Sequence, residues 1–169
     1  VCNDIDLIPD EKINAIKLIS SACGKNGMVY GQFLDIENES KEINKETIEN
    51  IHSLKTGKLI ECSVMLGQIG NNITQQNEIL LKFSKKIGLA FQITDDILEV
   101  TSDEKTLGKN INSDRKNKKS TYINVLGIDE AIKRSKELSK SAILDISILK
   151  LKEADMLIEL AKYISYRER

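Results

Sequence analysis

Leu89-Ala-Phe-Gln-Ile-Thr-Asp-Asp-Ile-Leu-Glu99 is an apolar helical stretch interrupted by an amide and three acids. At 3.6 residues per turn, Gln92, Asp95 and Glu99 fall along one face with Asp96 beside them, so several oxygen donors lie within about one turn of one another. Oxygen donors without a nearby His or Cys suit Mg²⁺ better than zinc, because Mg²⁺ takes carboxylates, waters and substrate phosphates in octahedral array. Taken alone, such a pair of acids describes the solvated face of many amphipathic helices, so the reading needs support from the rest of the chain.

The surrounding helix is predicted from about Gln75 to Val100, with Thr74 as its cap and Leu80, Phe83, Ile87, Phe91 and Leu98 on its core side. Gly88 heads the polar face and would admit another helix or a substrate chain. Residues 101–120 have loop chemistry. Between Asp103 and Lys119, Lys105, Lys109, Arg115, Lys116, Lys118 and Lys119 outnumber Asp103, Glu104 and Asp114. A cationic segment directly after an acidic cluster can close over a phosphorylated ligand as a lid.

Upstream, one long helix is predicted after Asn44, its N-cap, with an apolar stripe through Ile48, Ile51, Leu59, Cys62, Leu66 and Ile69. The stripe passes through Lys55. An inward ammonium needs an anionic partner, since an unpaired buried charge costs several kcal/mol. Gly57 lies mid-helix at a cost of about 1 kcal/mol relative to Ala, which points to close approach by a ligand or another helix. Earlier still, Pro9 opens a helix with Ile13, Ile16 and Ile19 on one side, Gly24 ends it, a short segment from Met28 to Leu34 follows, and Glu37 to Asn44 form a connection. Towards the end, a short helix near Tyr122 to Leu126 precedes one capped by Asp129 that runs towards Leu149. The last runs from Lys152 to about Tyr166, with Leu157, Ala161 and Ile164 inward.

Composition bounds the class. With 169 residues, 40% hydrophobic content, one Pro and no Trp, the chain reads as a single all-α unit. Its 25 basic and 26 acidic residues leave a net charge of −1, which argues against a nucleic-acid partner. Cys2, Cys23 and Cys62 share no disulfide or metal spacing, no apolar run approaches the roughly 20 residues of a membrane span, and no leader pattern precedes Pro9. A cytoplasmic location is the expectation.

Gly-Met-Val-Tyr-Gly-Gln at 27–32, Lys-Thr-Gly-Lys-Leu-Ile at 55–60, the stretch from Gly88 to Glu99, Thr-Leu-Gly-Lys at 106–109 and Lys-Ser-Thr-Tyr at 119–122 together resemble the trans-prenyltransferase (polyprenyl synthase) family, most of all its bacterial farnesyl diphosphate synthases. The resemblance implies an isoprenoid synthase-type helical bundle around a deep cavity and a Mg²⁺-dependent condensation of an allylic diphosphate, dimethylallyl or geranyl, with isopentenyl diphosphate. It implies that Lys55 contacts the allylic diphosphate, that Thr56 and Gln92 lie near the developing carbocation, and that Asp95, Asp96 and Glu99 hold the metal. Asp114 matches a further acid of the family, and Lys109 and Lys119 match lysines that reach the diphosphate. A homodimer is implied as well.

Two departures stand out. Glu99 replaces the usual final Asp, and the first aspartate-rich motif and the isopentenyl-binding residues of the N-terminal half are missing. The expectation is that residues 1–169 form the C-terminal part of one isoprenoid synthase domain, inactive by themselves. A terpene cyclase shares the first step, but Glu99 and Val100 stand where its second motif wants a hydroxyl. The rival of another class is a non-catalytic helical subunit whose acidic helix is only solvated.

Overall fold

Proline and glycine punctuate the first helix as expected. Helix α1 spans Pro9–Cys23 with Pro9 in its first turn, the Glu11 carboxylate accepts the Ile8 N–H at 2.9 Å, and the Gly24 N–H closes the last turn on the Ser20 carbonyl. The structure is a computed structural model and describes residues 1–70, 74–107, 121–149 and 154–167, with the backbone alone at 74, 75 and 102–107. Helix α2 is Met28–Glu37 and α3 is Lys45–His52, capped by Asn44 Oδ1, which accepts the Thr47 N–H at 2.9 Å.

The predicted unbroken helix after Asn44 is interrupted. Ser53–Gly57 winds as a π-helical turn before α4 resumes at Lys58–Leu66. A π turn adds one residue to the helical count, which re-phases the stripe and accounts for the misfit at position 55. Helix α5, Thr74–Leu107, is the longest. Helix α6, Tyr122–Leu126, is capped by Thr121 Oγ1, which accepts the Asn124 N–H at 3.2 Å, and α7 and α8 are Ile128–Ser147 and Ala154–Tyr166. No strand occurs among the described residues, in keeping with an all-α isoprenoid synthase-type bundle.

Helix α5 is the axis of the bundle, packed most broadly on α7 and also on α4, the π turn and α8. Leu80, Phe83, Ile87, Ala90 and Ile93 on α5 join Ile48, Tyr122, Ala131, Leu138, Ala142, Ile146, Ala161 and Ile164 in one core. Each large side chain so buried contributes about 1.5–3 kcal/mol. Thr94 and Ser135 hydrogen-bond at 2.7 Å between α5 and α7.

Several sequence expectations need correcting. Phe91 and Leu98 are only partly buried, and Ala90, Ile93 and Thr94 take the core positions. Steps of four from Phe83 through Ile87 to Phe91 drift about 80° around the helix, whereas ending on Ala90 leaves a drift of only about 20°. Helix α5 runs past Val100 to Leu107, because no Gly or Pro interrupts before Gly108. Helix α7 starts one residue before Asp129, with Gly127 at φ 81° as its N-cap and Asp129 in the first turn. On α1 the face bearing Ile13, Ile16 and Ile19 is exposed while Ala15 and Ala22 are buried, and Val29, Tyr30, Phe33 and Ile36 of α2 are exposed too. Among the described residues no helix is long and apolar enough to cross a membrane.

Candidate active site

Two glycines bring three helices together at the π turn. A side chain at Gly31 of α2 would overlap the Lys55 backbone, and a Cβ at Gly88 of α5 would lie 2.9 Å from the Gly57 Cα. The π turn is therefore held between α2 and α5 with no room for a methyl group on either side. This is the close helix approach that Gly57 and Gly88 signalled.

That packing sets two side-chain pairs. Thr56 Oγ1 donates to Gln92 Oε1 at 2.7 Å, which ties the π turn to α5. Lys55 Nζ donates to Asp35 Oδ2 at 2.6 Å, so the anionic partner that an inward lysine requires comes from α2. The Lys55 side chain is 32% exposed, which leaves its ammonium within reach of solvent and of an incoming anion. Asp35 was not singled out in the sequence, although it lies one turn after Gly31 on the segment that approaches Lys55.

The four oxygen-bearing side chains of α5 divide between two faces. Gln92 and Asp95 are partly exposed and Glu99 is exposed, along one line of the helix. Asp95 Oδ1 contacts the Arg167 guanidinium, which also stacks over the Phe91 ring with Cζ 4.5 Å from the centroid. Burial pulls the Arg167 pKa below its ordinary value, yet an arginine stays charged at neutral pH.

Asp96 turns the other way and is 4% exposed. Its Oδ2 accepts the Tyr122 N–H at 2.7 Å, and His52 Nε2 lies 3.5 Å from the same oxygen. The His52 and Tyr122 rings stack with centroids 6.3 Å apart. The Tyr122 hydroxyl donates to Glu49 Oε1 at 3.0 Å, and Arg134 Nε reaches the same oxygen at 3.3 Å. Burial first, and then the bond to Glu49, push the Tyr122 phenol well above its ordinary range; Arg134 offsets them only in part. His52 was not singled out, because a lone His at the edge of an apolar stripe carries no signal of its own, and Tyr122 was read only as the end of Lys-Ser-Thr-Tyr and the start of a short helix.

The donor chemistry fits Mg²⁺. That ion is commonly held by one or two carboxylates while waters and substrate phosphates complete the octahedron, and Asp95 and Glu99 offer such a pair one turn apart. No group of three or more His, Cys, Asp or Glu able to hold a metal occurs among the described residues. Lys109, Asp114 and Lys119 lie outside the described residues. Nucleophilic thiol chemistry is disfavoured at Cys62, whose pKa is raised by burial and by the neighbouring Cys23 and Glu61.

Comparison with known proteins bears on this arrangement. The family model described as Polyprenyl synthetase matches residues 3–156. Farnesyl diphosphate synthase of Micrococcus luteus is 44% identical over 119 residues, covering 70% of this chain and 41% of that protein. The enzyme of the same name from Escherichia coli is 38% identical over 163 residues, covering 94% and 54%. Among solved structures, a Helicobacter pylori geranyltransferase complexed with magnesium and isoprenyl diphosphate superposes with a TM-score of 0.79 at 32% identity, covering 96% of this chain and 53% of that one. Geranylgeranyl pyrophosphate synthetase of Pyrococcus horikoshii gives 0.82 at 29% identity, covering 96% and 61%. The chain spans about half the length of the curated relatives it matches.

Proposed function

Because the chain belongs to the polyprenyl synthetase family, we propose that it is the C-terminal part of a Mg²⁺-dependent prenyl diphosphate synthase, which joins dimethylallyl or geranyl diphosphate to isopentenyl diphosphate and makes farnesyl diphosphate or a similar short-chain product. The observation that carries this reading is the Thr56–Gln92 hydrogen bond. It ties the turn bearing Lys55 to the helix bearing Asp95, about one turn beyond Gln92.

In the reaction the allylic carbon–oxygen bond breaks, the leaving diphosphate takes the electron pair, the isopentenyl double bond attacks the allylic cation and a proton is then lost. Lys55 supplies a fixed positive charge where the leaving group becomes more negative, and such charge favours the transition state over the ground state. Asp35 holds that ammonium in position. Thr56 and Gln92 turn oxygen dipoles towards the developing cation. Asp95 and Glu99, with Asp114, hold Mg²⁺, which when bound neutralises diphosphate oxygens. Lys109 and Lys119 add charge from the segment that follows. A homodimer and a cytoplasmic setting belong to the same reading, supported by the exposed apolar faces of α1 and α2 and by three free thiols.

Calorimetric titration of the chain with a bisphosphonate tests this. Binding is expected with Mg²⁺ and not with EDTA, and Asp95→Asn weakens it. No Mg²⁺-dependent binding would favour the non-catalytic subunit. The 169-residue chain by itself is expected to show negligible condensation activity, because it spans about half of its relatives; normal turnover by this chain would overturn that expectation.

A further inference from the structure

We infer that Asp96 is a positioning residue whose carboxylate pins the backbone at Tyr122, and that it does not serve as a metal ligand. Consecutive residues on a helix point about 100° apart, so Asp95 and Asp96 cannot share one face of α5. The Asp95 side chain is 39% exposed and the Asp96 side chain 5%. A hydrated Mg²⁺ keeps several waters and needs open space around its carboxylates, which the packing around Asp96 does not leave. The Asp96 oxygen that receives the Tyr122 N–H also faces His52, and the two rings that flank it stack on each other.

The position of the anchor gives it a purpose. Tyr122 follows Thr121, which in sequence comes directly after residues 108–120, and both are buried. That segment carries Lys109, Asp114 and Lys119. A carboxylate on α5 that binds the Tyr122 N–H fixes the start of α6 against the helix that bears Asp95. The Glu49–Tyr122–Arg134 contacts hold the other end of the same side chain, so the residue is fixed at its amide and at its hydroxyl. The paired aspartates thus divide the work: Asp95 meets the ligand and Asp96 holds the start of α6, the element that follows the cationic segment in sequence.

The inference rests on the functional reading for the role of Asp95, but the anchor itself can be read without any ligand. Amide hydrogen exchange resolved at Tyr122 is compared in the wild type, Asp96→Asn and Asp96→Ala. Asn keeps a carbonyl acceptor, so protection is expected to survive in Asp96→Asn, whereas the alanine variant exchanges on the order of 100-fold faster, as loss of a hydrogen bond to a charged acceptor implies. Binding of Mn²⁺ with inorganic pyrophosphate is then followed by water-proton relaxation. Asp95→Asn is expected to weaken it by about tenfold or more, and Asp96→Asn by less than about threefold. Equal losses in the two asparagine variants would overturn the inference, as would a Tyr122 amide that exchanges equally fast in all three proteins. Protection that follows the expected order, with no Mn²⁺–pyrophosphate binding even in the wild type, would uphold the anchor and overturn the functional reading.

Discussion

Asp95 and Asp96 carry the same carboxylate one residue apart on α5, yet one faces a guanidinium at the rim of the candidate site and the other a backbone amide and a histidine inside the bundle. The difference lies in what surrounds them. On the outer face, Gln92, Asp95 and Glu99 line up with the π turn that brings Thr56 to Gln92 and Lys55 to Asp35. On the inner face, α3, α6 and α7 close a network of Glu49, His52, Tyr122 and Arg134 around Asp96. One acidic motif therefore does two kinds of work, and residue type alone does not assign either.

The same substitution at both aspartates is the hardest test of that contrast. Asp96→Ala is expected to destabilise the chain by about 3 kcal/mol, because the buried Tyr122 N–H loses a charged acceptor. Asp95→Ala is expected to change stability by less than about 1 kcal/mol, since a partly exposed ion pair is screened by solvent. Urea unfolding of both variants checks this, and equal losses would erase the distinction between the faces.

Lys55→Met sharpens the outer half of the comparison. It should lower pyrophosphate affinity in the presence of Mg²⁺ by roughly tenfold, about 1.4 kcal/mol, measured by calorimetry. Unchanged affinity would remove the outer face from the site.

Tyr122→Phe probes the inner half. It removes the bond to Glu49 and is expected to cost about 1 kcal/mol at neutral pH. The phenol has its ordinary value of 10 in the unfolded chain and a higher one in the fold. Its contribution is therefore complete below pH 10 and fades as pH climbs from there, where the unfolded state ionises first. Unfolding measured between about pH 9 and 12 should fall more steeply for the wild type than for Tyr122→Phe. The smallest effect is expected from Lys162→Ala, which removes an exposed pair with Glu159 on α8. It should shift stability by less than about 0.5 kcal/mol.

Much of this was legible before any fold was drawn. Pro9, Gly24 and Asn44 mark helix ends by local backbone chemistry, and local rules need no partner. Gly57 and Gly88 marked a close approach, and they meet each other. Gln92, Asp95 and Glu99 were placed on one face because helical spacing is a property of the chain. The π turn was not legible, since it arises where α2 and α5 press on the backbone from both sides. Neither were Asp35, His52, Tyr122 and Arg167, whose importance depends on partners distant along the chain.

From the amino-acid order alone came the all-helical class, the family resemblance, the oxygen-rich face of α5 and the demand of Lys55 for an anion. These follow from periodicity, capping and the cost of an unpaired charge. Only the tertiary structure decided which anion Lys55 meets, which way each aspartate turns, and that one of them holds Tyr122, because burial and pairing are set by helices that come together from separate parts of the chain.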